Sequence, residues 1–569
     1  MTEHRKTFVS ELALGCCKGP LTRDKDLIST AARLDSIGYW SVEAANSSLF
    51  EDCVGQRLAD PWERIRRLRK AMPNTKLALS MQGQSLLGQR LYADDVLDAF
   101  VTSAAECGIE VFRIFDALGD LRNLFRAIGA VKAAGRHAQG SIVYTVSPFH
   151  SNERFIEQAV ELAKMGCDSI CLLDHAGLLN PIDGFNLIAG LKANVRVPIA
   201  LHCGTQAGMA EATLIKAVEA GCDIVDAAIP SLAPHAALPS TEAVVSMLSR
   251  TPFDTGISLE ILAEAASHIP WTGSEPRNST RHADPRALAQ KIPGDMIAEI
   301  EDQLREQGAI ERLGEVLREI PLVRKELGQA PLTPPISEIV GTQSVLNVLQ
   351  GGRYKTITAE TRALIAGRYG QTPAPIEDGI KAMALAGEEP ISVRPADLIE
   401  PEFERLKREL GAKTKSTEDA LTYALFPALA PDFFKAREGG LLSGALPTAT
   451  ADRAGSYSIV VDGISFDVVV KGEKARAAGA GFVHATHLAT EGIAEDHGIT
   501  VVSAPFAGKV LRIDKRDGAS AAAGETVMAI ESMNMETSVK APGAGRIYRH
   551  FVAEGARFQQ GQPLYAIKR

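Results

Sequence analysis

Ser169-Ile-Cys-Leu-Leu173 is a short run of apolar and β-prone residues, followed at once by Asp174. Runs of the same kind recur on both sides of it. Upstream lie Phe8 to Leu14, Gly38-Tyr-Trp-Ser-Val-Glu43, Lys76-Leu-Ala-Leu-Ser80, Val111-Phe-Arg-Ile-Phe115 and Ser141-Ile-Val-Tyr-Thr145; downstream lie Pro198-Ile-Ala-Leu-His202 and Asp223-Ile-Val-Asp226. The eight runs are separated by amphipathic helical stretches at roughly regular spacing. Strands alternating with helices in this way predict an α/β fold, and eight repeats predict a (β/α)8 TIM barrel over residues 1–255. In such a barrel chemistry sits at the carboxyl ends of the strands, so the residues that close each run are the ones to inspect.

Beyond the barrel the pattern changes. Residues 256–440 read as a helical domain, with Met296 to Leu317 and Ala396 to Leu410 as its clearest amphipathic stretches. The second stretch is preceded by Arg394-Pro395-Ala-Asp397, a helix-start signal of proline and acid in the first turn. Residues 441–472 read as a connector and a β-hairpin, the latter beginning at Ser456-Tyr-Ser-Ile-Val-Val-Asp-Gly463 around an Asp-Gly turn. Residues 473–497 are rich in alanine and glycine and read as a flexible linker. Residues 498–569 contain an internal repeat: Ala504-Pro505, Gly508, Gly518, Gly524 and Ile530 recur at a constant offset as Ala541-Pro542, Gly545, Gly555, Gly561 and Ile567. Two such β-rich halves predict a pseudo-symmetric flattened barrel, joined by a hairpin through Glu531-Ser-Met-Asn-Met-Glu-Thr537.

The bulk properties are those of a water-soluble protein. The chain has 569 residues, 45% hydrophobic and 23% charged, with a net charge of −9. That balance gives no electrostatic reason to expect nucleic acid or an anionic membrane as partner. No segment reaches the roughly 18 uninterrupted apolar residues of a membrane helix. The opening Met1-Thr-Glu-His-Arg-Lys-Thr-Phe8 lacks the apolar core of a signal peptide. Eight cysteines without the spacing of a disulfide framework suit reduced thiols, and a cytoplasmic location is expected.

The C-terminal repeat closely resembles the biotinyl domain of biotin-dependent carboxylases. That family carries Met-Lys-Met at the exposed turn and attaches biotin to the lysine. Here the turn reads Met533-Asn534-Met535. An amide nitrogen is no nucleophile, because its lone pair is delocalised into the carbonyl. No covalent biotin is therefore expected. The rest of the chain resembles the carboxyltransferase barrel found in the B subunit of pyruvate carboxylase and the α subunit of oxaloacetate decarboxylase. Asp60-Pro-Trp-Glu-Arg-Ile65, Gly83-Gln-Ser-Leu-Leu-Gly88, Tyr92-Ala-Asp-Asp95, Val111-Phe-Arg-Ile-Phe-Asp-Ala117, Tyr144-Thr-Val-Ser-Pro148 and Asp174-His-Ala-Gly-Leu-Leu179 carry that resemblance. Pro334-Pro-Ile-Ser-Glu-Ile-Val-Gly341 and Leu421-Thr-Tyr-Ala-Leu-Phe-Pro427 match the helical domain that follows the family's barrel.

The resemblance implies a site that these residues do not reproduce. The family holds a divalent metal with an aspartate after the first strand, a carbamylated lysine on the sixth and a His-x-His pair on the seventh. Leu12 stands at the aspartate, Leu173 at the lysine, His202 at the first histidine and Gly204 at the second. A divalent transition ion normally takes at least three protein ligands, so no family-type metal is expected. Gln82 replaces the arginine that grips a 2-oxoacid carboxylate, a task suited to a fixed guanidinium fork. Ala236 replaces the threonine that shuttles a proton between biotin and substrate.

Other polar residues could still act at the strand ends: Cys16, Cys17, Glu43, Asp116, Asp174, His175, His202, Cys203 and His235. Cys16 and Cys17 with His175 and His202 would offer soft zinc-type ligands, although cysteines are also common small buried hydrophobes. Cys203 with His175 and Asp174 would offer a nucleophile and its base, although neighbouring residues of a strand point to opposite faces. Asp116 and Tyr144 read equally well as hydrogen-bonding braces of strand ends.

These losses together predict a non-catalytic paralogue of a biotin-dependent carboxyltransferase subunit. Its role would be that of a structural or regulatory partner of an active carboxylase or decarboxylase. The expected partners are a second copy of the chain, and a biotin carboxylase or an active carboxyltransferase paralogue. The alternatives are a re-purposed TIM-barrel enzyme, or a carboxyltransferase of pyruvate or oxaloacetate type with displaced ligands that uses a separate biotin carrier.

Overall fold

The computed structural model describes residues 6–12, 14, 24–56, 59–88, 90–232, 237–268, 285–411, 415–440, 442, 455–461, 464–470, 499–532 and 535–568. Cys16, Cys17, His235, Ala236, Asn534 and almost all of the connector and linker lie outside the described residues.

Eight parallel strands close into a barrel: β1 (Phe8–Glu11), β2 (Ser41–Ala45), β3 (Lys76–Gln82), β4 (Ile109–Phe115), β5 (His137–Val143), β6 (Ser169–Asp174), β7 (Ile199–Cys203) and β8 (Ile224–Ala227). Closure is made by β1 beside β8, with Phe8 opposite Ile224 and Glu11 opposite Ala227. Each run read from the sequence is one of these strands, shifted by a few residues at its ends. The expected TIM barrel is therefore the observed fold.

Helix starts are fixed by side-chain caps, which satisfy amides that have no partner within the helix. Asp60 accepts from the amides of Trp62 and Glu63 at the head of helix Pro61–Ala71, and Asn180 does the same for Ile182 and Asp183 at helix Pro181–Asn194. Trp62 Nε1 then donates to Thr422 Oγ1 at 3.0 Å, tying the barrel to helix Thr417–Leu425.

Neither long amphipathic stretch of the helical region forms one continuous helix. Met296 to Leu317 is divided into helices Gly294–Glu306 and Leu313–Glu326. Gly308, at φ +64°, occupies the left-handed conformation that ends the first, and the amides of Gly308 and Ala309 bond back to Arg305 and Leu304. Ala396 to Leu410 is a 3-10 turn, Pro395–Leu398, followed by helix Phe403–Leu410. Pro401 lies between them, lacks an amide hydrogen and disfavours helical geometry in the residue before it.

The helical region also divides by core. Ile292 to Leu385 share one apolar cluster, whereas Phe403 to Phe434 pack into the core of the barrel. Arg90 clamps Glu402 with two hydrogen bonds of 2.9 and 3.0 Å, and Arg394 reaches Asp94 at 2.8 Å, so the chain is held back over the strand ends.

The hairpin pairs β9 (Gly455–Val461) with β10 (Ile464–Val470). The C-terminal domain holds two four-stranded antiparallel sheets made from β11 (Ile499–Ser503), β12 (Gly508–Ile513), β13 (Ser520–Ala521), β14 (Thr526–Ser532), β15 (Met535–Lys540), β16 (Gly545–His550), β17 (Arg557–Phe558) and β18 (Pro563–Lys568). Lys509 pairs with Glu531 in one half and Arg546 with Lys568 in the other, which are equivalent registers of the repeat.

Candidate functional site

The carboxyl ends of the strands open into a cavity of about 540 Å³. Its floor is polar. Arg113 of β4 crosses the barrel to Asp226 of β8 with two hydrogen bonds of 2.5 and 2.9 Å, and its Nε donates to Gln139 Oε1 at 2.7 Å. Both ions are buried, a costly arrangement that persists because each charge is paired and its remaining donors are used. Burial pushes the Asp226 carboxyl up, but Arg113 and His202 outweigh it and hold it at about 2. His202 Nδ1 lies 2.9 Å from Asp226 Oδ2, so that nitrogen is already engaged. Glu43 of β2 completes the floor. Ser80 Oγ and Asn46 Nδ2 donate to it at 2.6 and 2.7 Å, while burial raises its carboxyl above the usual range.

Alternation along β6 and β7 separates the remaining candidates. Leu173 and His175 face the cavity together with His202. The His175 and His202 rings meet edge to face at 4.9 Å. Burial, then His202 and Arg113, push the His175 imidazole down to about 3, and its Nε2 has no hydrogen-bond partner. Asp174 and Cys203 are partners on the other side. Asp174 accepts from the amides of Leu178 and Leu179 at 3.0 and 2.8 Å, and from Cys203 Sγ at 3.6 Å. Burial lifts the Asp174 carboxyl to about 6 and the Cys203 thiol well above its ordinary range. A protonated thiol beside a carboxylate is no nucleophile, so the Cys203, His175 and Asp174 grouping is not assembled. Asp116 likewise braces a turn, accepting from the amides of Leu118 and Asp120 and from Asn123 Nδ2.

Three of the four positions implied for metal ligation, Leu12, Leu173 and His202, line the mouth but offer little to an ion. Leu12 and Leu173 are apolar lining residues, and His202 is the one donor. Gly204 cannot be refitted with a side chain in this backbone. A Cβ there would sit 2.3 Å from the His175 carbonyl oxygen, and one at Gly177 would sit 2.2 Å from the Gly204 carbonyl oxygen. The loops after β6 and β7 are thus in backbone contact, sealed by the Gly204 amide donating to Asp174 O at 2.8 Å. Among the described residues no group of three His, Cys, Asp or Glu could hold a metal ion. The residues present do not fit the family's ion.

Two features of the mouth escape a reading of the sequence. Gln82, at the position of the substrate arginine, donates to the Pro334 carbonyl at 3.2 Å and so links barrel to helical region across the cavity. The outer wall is acidic, bearing Glu51, Asp295, Glu299 and Glu338. Burial, then Glu299 and Glu51, raise Glu338 to about 7, and burial with Asp295 raises Glu299. Among the described residues Arg113 is the one lysine or arginine of the lining, and Asp226 neutralises it. The local signals for the floor are the charge inside the Val111–Phe115 run and the polar residues that close the runs ending at Glu43, His202 and Asp226. The acidic wall comes from three separate helices, Ser47–Gly55, Gly294–Glu306 and Ile336–Leu349, and nothing local marks it.

Residues 288–478 match the family described as "Conserved carboxylase domain", 113–269 the one described as "HMGL-like" and 500–567 the one described as "Biotin-requiring enzyme". The chain is 39% identical over 525 residues to the B subunit of pyruvate carboxylase from Methanocaldococcus jannaschii, covering 90% of each protein. It is 40% identical over 462 residues to the methylmalonyl-CoA carboxyltransferase 5S subunit of Propionibacterium freudenreichii subsp. shermanii, covering 79% of this chain and 91% of that one. Among solved structures, the carboxyl transferase domain of Rhizobium etli pyruvate carboxylase with pyruvate superposes with a TM-score of 0.73 at 24% identity, over 82% of this chain and 83% of that one, a likeness of fold. Among the described residues no helix is long and apolar enough to cross a membrane.

Proposed function

The chain belongs to the carboxyltransferase family that includes the B subunit of pyruvate carboxylase, and from that membership we propose that it is a non-catalytic member. It serves as structural or regulatory partner of an active carboxylase or decarboxylase, in the cytoplasm and as a homo-oligomer. The observation that carries this reading is the backbone contact at Gly204, where even a Cβ is excluded. A lost side chain can be replaced by a neighbour, but here two loops are in backbone contact where a second histidine would need room. The acidic wall supports the same reading, since ionised carboxylates repel a 2-oxoacid anion and, among the described residues, the Arg113 of the lining is already paired with Asp226. Asn534 supports it from the other end of the chain, offering no amine for biotin.

Two measurements test it. Intact mass and metal analysis of the purified chain are expected to give neither a biotin-sized increment nor a stoichiometric divalent ion. A pull-down from the native cell is expected to recover a biotin carboxylase or an active carboxyltransferase. Recovery of neither, with no phenotype on deleting residues 473–569, overturns the partner role.

One observation favours a second reading, a re-purposed barrel enzyme. The cavity is retained, and His202 is oriented in it by Asp226 beside Glu43. Turnover of any substrate that is abolished by His202→Gln would establish it.

A further inference from the structure

The C-terminal repeat is uneven in one informative place. Ala504-Pro505-Phe506-Ala507-Gly508 in the first half answers to Ala541-Pro542-Gly543-Ala544-Gly545 in the second, so Phe506 stands where its counterpart is glycine. The domain does not use this ring for its own core, which is built from residues such as Val510, Val527, Ile530, Ile547 and Leu564. Phe506 and Met535 instead belong to the apolar cluster of the helical domain, with Leu364, Ile365 and Leu385. They are only 1% and 3% exposed.

Hydrogen bonds line the same seam. The Ala507 amide donates to Gln307 Oε1 at 3.0 Å, and Gln307 Nε2 returns a bond to the Ala507 carbonyl at 3.4 Å. The Glu536 amide donates to Glu360 Oε1 at 3.1 Å, at the head of helix Ala359–Ile365. Ser532 Oγ, two residues before position 534, donates to the Ala507 carbonyl at 2.8 Å. Met535 and Glu536 are therefore tied to the helical surface directly, and Ser532 is tied to Ala507, which itself pairs with Gln307.

We propose that the C-terminal domain is docked in cis on the helical domain through Phe506, Ala507, Met535 and Glu536 as a standing joint and not as a visiting carrier. Undocking would expose two large apolar side chains side by side, a patch that soluble proteins normally keep covered. A shuttling carrier has to leave each surface it visits, so its contacts must be weak. Two nearly fully buried side chains with paired backbone amides describe a permanent joint. The joint is independent of whether the barrel is catalytic, because none of its residues lies in the mouth.

The test uses the full-length chain carrying Glu360→Cys and Glu536→Cys with a short bis-maleimide, each single-cysteine variant serving as background for the native thiols. A link within one chain is expected, at a rate independent of protein concentration. Adding Phe506→Asp is expected to slow it at least tenfold, while the amide exchange of the domain's own strands stays unchanged. Linking only between chains, or at a rate that Phe506→Asp leaves unaltered, overturns the proposal. Where Phe506→Asp does not yield folded protein, Gln307→Ala in the otherwise native chain is read by hydrogen exchange. Faster exchange at Leu364 and Ile365 supports the joint, and unchanged exchange overturns it. Biotin, metal and pull-down results bear on the non-catalytic reading and leave these outcomes untouched.

Discussion

The barrel mouth and the C-terminal domain both hold residues other than those the family resemblance implies, but in different physical settings. At the turn of the C-terminal domain the departure is a single side chain, Asn534, and both halves of the surrounding repeat keep their registers. At the mouth the residues concerned sit among packed neighbours: the loops after β6 and β7 touch at Gly177 and Gly204, Gln82 reaches the helical region, and the wall is acidic. A turn displays its reactive group outward and can change it without consequence for packing. A concave site is made of packed neighbours, and a change in one propagates to the rest.

The comparison breaks most visibly if the barrel floor proves soft. Arg113→Met leaves Asp226 buried without its guanidinium partner, with His202 still beside it, and is expected to cost about 3–5 kcal/mol. The measurement is the shift of the barrel's unfolding transition in urea, and a shift near zero would mean that water already reaches the floor. Next in size is Gly204→Ala, which places a methyl against the His175 carbonyl. Its expected cost is about 2–3 kcal/mol by the same assay. If Gly204→His is tolerated and acquires a divalent ion, the mouth is as easily restored as the turn.

The acidic wall gives a smaller, pH-dependent effect. Burial and two neighbouring carboxylates raise Glu338 to about 7. The folded protein therefore holds this proton more tightly than the unfolded chain does. Its contribution is fully present below the unfolded pKa and is lost as pH rises through about 7. Glu338→Gln should remove that dependence and stabilise the chain above pH 7 by about 1 kcal/mol, a value reduced for partial solvent access. A thermal melt series from pH 5 to 8 checks the sign. The smallest energetic effect belongs to Asn534→Lys, expected within about 0.5 kcal/mol of the parent. It should nonetheless accept biotin from a biotin ligase, read as a mass increment, without gaining carboxyl transfer.

Much of the fold is legible in the sequence because it rests on period and spacing. The eight apolar runs locate the eight strands to within a few residues, and the glycine repeat locates both halves of the last domain. The two long amphipathic stretches look continuous in the sequence because apolar periodicity carries across Gly308 and Pro401, where the backbone itself must break. Within the site, strand alternation correctly sets Asp174 and Cys203 apart from His175. The pairing of Arg113 with Asp226 is out of reach, since those residues are far apart in the chain and meet only across a closed barrel.

The sequence alone determined the barrel, the order of the parts and the identity of the side chain at each position the family uses. Those are properties of local pattern and residue chemistry, which need no partner to be read. Only the tertiary structure decided that Gly204 has no room for a side chain, that Glu51, Glu299 and Glu338 face one another, and that Phe506 and Met535 are buried in the helical domain. Each depends on which distant segments come into contact, and contact distance, not residue type, sets whether a space is closed, a charge opposed or a ring buried.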